Sequence, residues 1–321
     1  MTFDELLAVV CGDVPPGVRT DSRLVRPGDV FVAIAGSAAD GHRFIDQAIA
    51  NGARYIVCQR PNHSSSSATT VVVENSARAA GLLAQASYGR PASKLTNLAV
   101  TGTNGKTTVA FLVHACITHA GKRCGLMGTV VYDTGSGVTP ASLTTPDTLT
   151  VARMQHSMVE AGAEYMVIEA SSHALDQDRL AGIEFQAAAF TNLTGDHLDY
   201  HKTFAEYLKA KKRFFDELPS DAFALTNTDD RNGMVMVQNT KAKVYTYSLR
   251  SMADFRCKVI ESHFDGMMLN MDGVEVWTRL LGRFNAYNLL AIYATLMLLG
   301  FDKNDILTGI SDVTPVSGRF E

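Results

Sequence analysis

Short apolar runs alternate with segments of helical period along most of the 321-residue chain, and that alternation leaves few architectures open. A strand, a crossover helix and a further strand build a parallel sheet, so an α/β fold is expected. In the first part, "DVFVAIAG", "RYIVC" and "TTVVVEN" read as strands, while "HRFIDQAIANGA", ended by Gly52, and "SARAAGLLAQAS" read as helices. "YGRPASKL", residues 88 to 95, interrupts the period with Gly and Pro and marks a domain joint. The expectation is a small α/β domain over residues 1–90 and a larger one, with a mainly parallel sheet, over 91–314. In the second, strands are expected at "NLAV", "RCGLMGTV", "EYMVIEAS", "FQAAAFTNL" and "AFALTN". Helices are expected at "PDTLTVARMQHSMVEAG", with Pro146 in its first turn, and at "TFAEYLKAKKRFFDEL". Residues 240 to 280 read as less regular β structure, and "NAYNLLAIYATLMLLG", apolar on most sides, as a buried helix.

"VTGTNGKTTV", residues 100 to 109, carries the most chemistry. A phosphate-binding loop needs a strand, a glycine turn whose amides point inward, a lysine, and a hydroxyl residue opening a helix. Gly102 and Gly105 allow the backbone close to phosphate oxygens, Lys106 can reach β and γ phosphates, and Thr107 can ligand Mg²⁺. The usual spacing places a glycine where this chain has Val100. An ordinary strand-to-helix turn is the bland alternative.

Glu169 ends "MVIE", a buried-strand pattern, and the carboxyl edge of an α/β sheet is where ligands bind. It reads either as a Mg²⁺ ligand beside Thr107 or as a surface acid past a strand. "TGDHLDYH" supplies Asp196, His197, Asp199 and His201, but not the zinc motif H-E-x-x-H, so metal and structural readings both stand. On the next helix, Phe204, Tyr207, Leu208, Phe214, Phe215 and Leu218 form one apolar stripe with Lys211 in its middle. A lysine there snorkels, pairs with an acid, or has a displaced pKa and does chemistry.

Composition excludes several classes. A formal net charge of −4 with no dense basic run gives no footprint for nucleic acid. The scattered cysteines Cys11, Cys58, Cys116, Cys124 and Cys257 show no CxxC pair and suggest neither a disulfide framework nor a zinc knuckle. "MTFDELLAVV" has acids where a secretion signal needs basic residues, and "LLAIYATLMLLG" is too short to span a bilayer. A cytoplasmic chain without membrane contact is expected.

Together, "TGTNGKTT", "EASSHAL", "TNLTGDHLDYH" followed by "AKKRFF", "GRFNAYNLLA" and the terminal "GRFE" resemble, in order, the motifs of the Mur ligase family of peptidoglycan assembly. "DSRLVRPGDVFVAIAG" is similar to that family's uridine-nucleotide segment, and "LTTPDTL" to its muramoyl-peptide loop. The resemblance covers essentially the whole chain.

It implies an ATP-dependent amide ligase with Mg²⁺ as cofactor. UDP-N-acetylmuramoyl-L-alanyl-D-glutamate would be phosphorylated on its free carboxylate, and a diamino acid would attack the acyl phosphate. By the same resemblance, residues 1–90 would bind the UDP-linked sugar and 91–314 would bind ATP through Gly102, Thr103, Asn104, Gly105, Lys106, Thr107 and Thr108. Thr107, Glu169 and His197 would hold metal, and Lys211 corresponds to a carbamylated lysine. Asn285 and Asn288 would lie on the adenine side, with Arg319 at the phosphates. Ser22 would contact the uridine, and Thr144, Thr145, Ser171, Gln177 and Arg179 the muramoyl peptide. Caps, turns and surface charge are the bland readings of these last residues. Residues 315–321 would begin a hinge to a third domain, beyond Glu321, that takes the amino acid, so this stretch alone is expected to bind nucleotide without efficient amide formation. A monomer is expected. The alternatives are a relative with another acceptor, or a non-catalytic nucleotide-binding module.

Overall fold

The computed structural model describes residues 1–36, 39–60, 67–194 and 203–312. The described residues form two compact units. One comprises 1–94 with 146–157 and 176–183, the other 95–145, 158–175 and 184 onward.

The first unit is built on a parallel four-stranded sheet in the order β1 (Val18–Arg19), β2 (Val30–Val32), β3 (Tyr55–Cys58), β4 (Thr69–Val72). Helices Phe3–Val10 and Ser76–Ser87 place Leu6, Val10, Ala80 and Leu83 against Val30, Val32 and Val57, burying one face of the sheet. The first helix begins with a capping box in which the Thr2 hydroxyl accepts from the Glu5 amide and the Glu5 carboxylate accepts from the Thr2 amide. Later segments join this unit through buried polar contacts: Gln85 Nε2 donates to Gln155 Oε1 at 2.6 Å. Gly81 lets its helix approach the chain at Ala181, whose carbonyl oxygen would lie 2.3 Å from any Cβ added there.

The second unit carries an eleven-stranded sheet. Its centre is parallel, in the order β12 (Lys243–Ser248), β11 (Phe223–Asn227), β10 (Ala187–Phe190), β5 (Thr96–Thr101), β9 (Tyr165–Glu169), β6 (Cys124–Met127). Antiparallel strands β7 (Val131–Asp133) and β8 (Val138–Pro140) extend one edge. On the other, β13 (Phe255–Ser262) pairs parallel to β12 and leads into antiparallel β14 (Met267–Met271) and β15 (Val274–Thr278). The α/β class and the mainly parallel sheet agree with the expectation.

Two local expectations are corrected. Residues 240 to 280 carry more order than expected: after β12 they form a meander, broken by one register shift between Val259 and Glu261, whose β14 alternates buried and half-buried side chains, as a half-covered strand should. Asp272 (φ +47°) and Gly273 (φ +85°) form its two-residue turn, a hairpin geometry for which Asp-Gly is a preferred pair. The helix after "LTTPD" is Thr148–Glu160, and Pro146 lies outside its first turn. Asp147 starts it instead, its Oδ1 accepting from the Leu149 and Thr150 amides at 3.1 and 3.0 Å.

The helix Arg283–Leu298 is buried on most sides, as its sequence implies, and packs with the helix Lys106–His119 on one face of the sheet. β5 and β10 are neighbours whose onward connections diverge, β5 leading towards β6 on one side of the sheet and β10 to β11 on the other. A crevice outside such a switch point is where open α/β sheets bind ligands.

Candidate active site

The turn after β5 holds its shape by glycine geometry and by a brace from β10. Gly102 (φ +148°) and Gly105 (φ +86°) occupy backbone conformations that favour glycine. A Cβ at Gly102 would meet Thr191 Oγ1 at 2.0 Å, and one at Gly105 would meet Asn288 Oδ1 at 2.4 Å. Asn192 grips the turn: its carbonyl accepts from the Thr103 amide at 2.8 Å, its Oδ1 from the Asn104 amide at 3.0 Å, and its Nδ2 donates to the Asn104 carbonyl at 3.0 Å. Thr191 Oγ1 donates to the same carbonyl at 2.6 Å. The amides of Thr103 and Asn104 are therefore engaged by protein. The first-turn amides of Thr107 and Thr108 have no acceptor within the helix, and with the helix dipole they favour an anion.

Lys106 lies back on the turn, donating to the Gly102 and Thr103 carbonyls at 3.0 and 2.8 Å. Lys211, 1% exposed, reaches the same turn from beneath and donates to Thr101 Oγ1 at 3.1 Å and the Gly102 carbonyl at 3.0 Å, over the Tyr207 ring. Its helix, Phe204–Asp216, buries Tyr207, Ala210, Lys211 and Phe215 and leaves Lys209 exposed. The lysine on the apolar stripe is thus a core residue with polar partners, and it does not snorkel to solvent.

Glu169, at the end of β9, is 1% exposed and its carboxylate faces the start of the loop helix. Oε2 accepts from Thr107 Oγ1 and from Thr129 Oγ1, each at 3.0 Å, and Oε1 accepts from the Thr129 amide at 2.7 Å. Gly128 makes room for this approach, since a Cβ there would lie 2.6 Å from Glu169 Oε1. A buried carboxylate beside a threonine hydroxyl is a hard oxygen donor set that suits Mg²⁺, which takes one or two carboxylates and completes its shell with phosphate oxygens and water. Among the described residues no cluster of three His, Cys, Asp or Glu side chains forms a cage, so a cation here would rely on such outside ligands.

Beside the turn, a cavity of about 760 Å³ is lined by Asn104, Gly105 and Thr108 together with Asp229, Arg250, Phe284, Tyr287 and Asn288. Asn288 lines it; Asn285 does not, but its Oδ1 accepts from Asn288 Nδ2 at 3.1 Å and orients that side chain. Asp229 accepts from Tyr287 Oη, Ser248 Oγ and the Leu249 amide, each at 2.8 Å. Burial pushes the Asp229 carboxyl up, but these donors outweigh it and hold it below the usual carboxylate value. Burial, then the bond to Asp229, pushes the Tyr287 phenol up to about 12.

Thr144 Oγ1 lies 3.1 Å from Thr129 Oγ1. Thr145 donates to the Glu169 carbonyl at 2.6 Å and accepts from the Ser171 amide at 3.1 Å, which makes it a buried brace. Ser171 Oγ in turn accepts from the Ala174 amide at 3.3 Å. In the first unit, Ser22 is buried and its hydroxyl donates to Gln47 Oε1 at 2.8 Å, while Arg179 donates to Gln177 Oε1 at 3.0 and 2.8 Å. Asp196, His197, Asp199, His201 and Arg319 lie outside the described residues. Sequence reasoning missed Thr129, Thr191, Asn192 and Asp229. Thr129 follows a strand and a glycine, and Thr191 and Asn192 follow the end of another strand, positions that carry a signal only once the strand order is known.

A parallel sheet with a positive-φ glycine turn at its switch point, a lysine folded over that turn and a threonine against a buried carboxylate defines an α/β domain of the phosphate-loop class. Residues 100–296 match the Mur ligase middle domain and residues 16–89 the Mur ligase family, catalytic domain. The chain belongs to the Mur ligase family. It is 50% identical over 305 residues to UDP-N-acetylmuramoyl-L-alanyl-D-glutamate--2,6-diaminopimelate ligase of Parabacteroides distasonis, covering 95% of this chain and 63% of that one. The protein of the same name from Phocaeicola vulgatus is 47% identical over 322 residues, covering 100% of this chain and 66% of that one. A solved structure of a ligase of that name superposes with a TM-score of 0.85 at 28% identity, covering 99% of this chain and 68% of that chain. The chain spans about two thirds of the length of the curated relatives it matches.

Proposed function

We propose that this chain forms the acyl-substrate and nucleotide portions of an ATP-dependent amide ligase that joins 2,6-diaminopimelate to UDP-N-acetylmuramoyl-L-alanyl-D-glutamate in peptidoglycan synthesis. The observation that carries the proposal is the Thr107 hydroxyl held 3.0 Å from the buried Glu169 carboxylate at the start of the loop helix. The named relatives support the choice of acceptor and amine.

In this reading the ATP phosphates lie over the first-turn amides of Thr107 and Thr108, and the nucleoside fills the cavity lined by Arg250, Tyr287 and Asn288. The Lys106 ammonium leaves the Gly102 and Thr103 carbonyls and moves to the β and γ phosphates. Thr107 and Glu169 hold Mg²⁺, with His197 at a second ion and Arg319 at the phosphates, as the family resemblance implies. Bound there, Mg²⁺ supplies neutralisation of the charge that gathers on the phosphoryl oxygens. Thr144, Thr145, Ser171, Gln177 and Arg179 serve the muramoyl peptide and Ser22 the uridine; for Thr145 and Ser22 the service is indirect, since their hydroxyls brace the chain.

A carboxylate oxygen of the D-glutamyl residue attacks the γ-phosphorus, and the bond to the ADP oxygen breaks. The amine then attacks the acyl carbon, phosphate leaves with the bonding pair, and the nitrogen loses a proton. Lys211 is the residue that the family resemblance makes a carbamate. Its present partners suit an ammonium, which donates to both Thr101 Oγ1 and the Gly102 carbonyl; a carbamate keeps one N–H on Nζ and can hold only one of the two. An enzyme consuming ATP and a nucleotide-linked precursor works in the cytoplasm, and we take it as a monomer.

Incubation with Mg-ATP, the UDP-linked dipeptide and hydroxylamine tests the proposal. Formation of a hydroxamate that requires both ligands supports an acyl phosphate, and its absence from folded protein counts against the reading.

A further inference from the structure

The hydroxyl of Thr129 has more acceptors than protons. Thr129 Oγ1 lies 3.0 Å from Glu169 Oε2 and 3.1 Å from Thr144 Oγ1, both at hydrogen-bonding distance, and a threonine donates only one bond. Thr107 Oγ1 is 3.4 Å away on the same side. The position is fixed independently of this choice. The Thr129 amide is bound to Glu169 Oε1, and the preceding Gly128 amide donates to the Val131 carbonyl at 3.2 Å. Thr144 is fixed as well, because Tyr132 Oη donates to the Leu143 carbonyl at 2.5 Å and accepts from the Leu143 amide at 3.0 Å. The two acceptors therefore stand on either side of one rotatable proton, held by backbone that does not have to move.

We propose that the Thr129 hydroxyl is a two-position donor that couples cation loading at Glu169 to substrate capture at Thr144. This rests on the function argued above. While Glu169 Oε2 carries no cation, an anionic oxygen is the stronger acceptor and holds the proton. When a cation draws on the lone pairs of Oε2, the proton turns to Thr144 Oγ1. Thr144 then accepts from Thr129, and its own proton points outward as a donor for an anionic or carbonyl oxygen of the acyl substrate. No bond to carbon or phosphorus changes; only the direction of two O–H bonds does. Mg-nucleotide and acyl substrate thus reinforce each other, by an amount on the order of one neutral hydrogen bond, about fivefold in affinity. By linkage the enhancement is the same whichever ligand binds first.

The test measures UDP-N-acetylmuramoyl-L-alanyl-D-glutamate binding by calorimetry, with and without Mg²⁺ and a non-hydrolysable ATP analogue, in the wild-type chain and in Thr129→Val, Thr129→Ser and Thr144→Val. The readout is the ratio of the two affinities, which is insensitive to any uniform loss in a variant. A ratio of about five in wild type and Thr129→Ser, falling to about one in Thr129→Val and Thr144→Val, is expected. An unchanged ratio in folded Thr129→Val overturns the coupling, as does a ratio of one in a wild type that binds each ligand. A wild type that binds neither ligand overturns the function itself, and the coupling with it.

Discussion

Thr107 and Glu169 are 62 residues apart in the chain, yet the hydroxyl of one donates to the carboxylate of the other at 3.0 Å. The first opens a helix after β5 and the second ends β9, the adjacent strand, so the pairing of Val100 with Glu169 places them side by side. Glu169→Gln keeps the shape but removes the anion. Calorimetry in Mg²⁺ and in chelator is expected to show a loss of at least about tenfold in the Mg²⁺-dependent part of ATP affinity. Equal affinities in Mg²⁺ for variant and wild type would remove Glu169 from the metal site.

Gly102→Ala forces a side chain into a positive-φ position 2.0 Å from Thr191 Oγ1. The brace from Thr191 and Asn192 must then shift. A loss of about 1–3 kcal/mol in denaturant unfolding is expected, together with weakened ATP binding. Gly121→Ala, also at positive φ but with nothing within 4 Å, separates backbone strain from collision and is expected to cost less.

Lys211→Met fills similar space but leaves Thr101 Oγ1 and the Gly102 carbonyl without the amine. The expected cost is about 1–3 kcal/mol in denaturant unfolding. If Lys211 is the carbamate, ¹³C-bicarbonate gives a carbamate carbon resonance in the wild type that is missing from Lys211→Met. A spectrum with no such signal in active enzyme would assign the lysine a purely structural role.

Asp229 lies below its ordinary value near 3.8 because its donors outweigh burial, so its contribution to stability is complete above that value and lost as pH falls through the folded-state pKa. Tyr287→Phe deletes one of those donors. Acid unfolding followed by circular dichroism is therefore expected to begin at higher pH in the variant. Coincident acid transitions would show that the bond contributes nothing to folding.

Much of the site was legible because it is local. The turn from Gly102 to Thr108 is one contiguous stretch with its own glycines, and Lys211 could be placed on the buried face from its neighbours' spacing alone. The parts that stayed hidden depend on long-range pairing. Asn192 reaches Asn104 across 88 residues, and Thr129 reaches Glu169 across 40. Nothing in the sequence near Ser22 shows that its hydroxyl turns to Gln47. The Asp272–Gly273 turn is a local signal too, an Asp-Gly pair between the paired strands β14 and β15.

In the proposed function the turn after β5 binds a magnesium-bound triphosphate, and Lys106 is the side chain that reaches it. Mg-ATP is titrated by calorimetry into the wild-type chain and into Lys106→Ala. Saturable binding at one site, weakened at least about tenfold in the variant, is the expected result. No binding by folded wild type, or equal binding by Lys106→Ala, would contradict it.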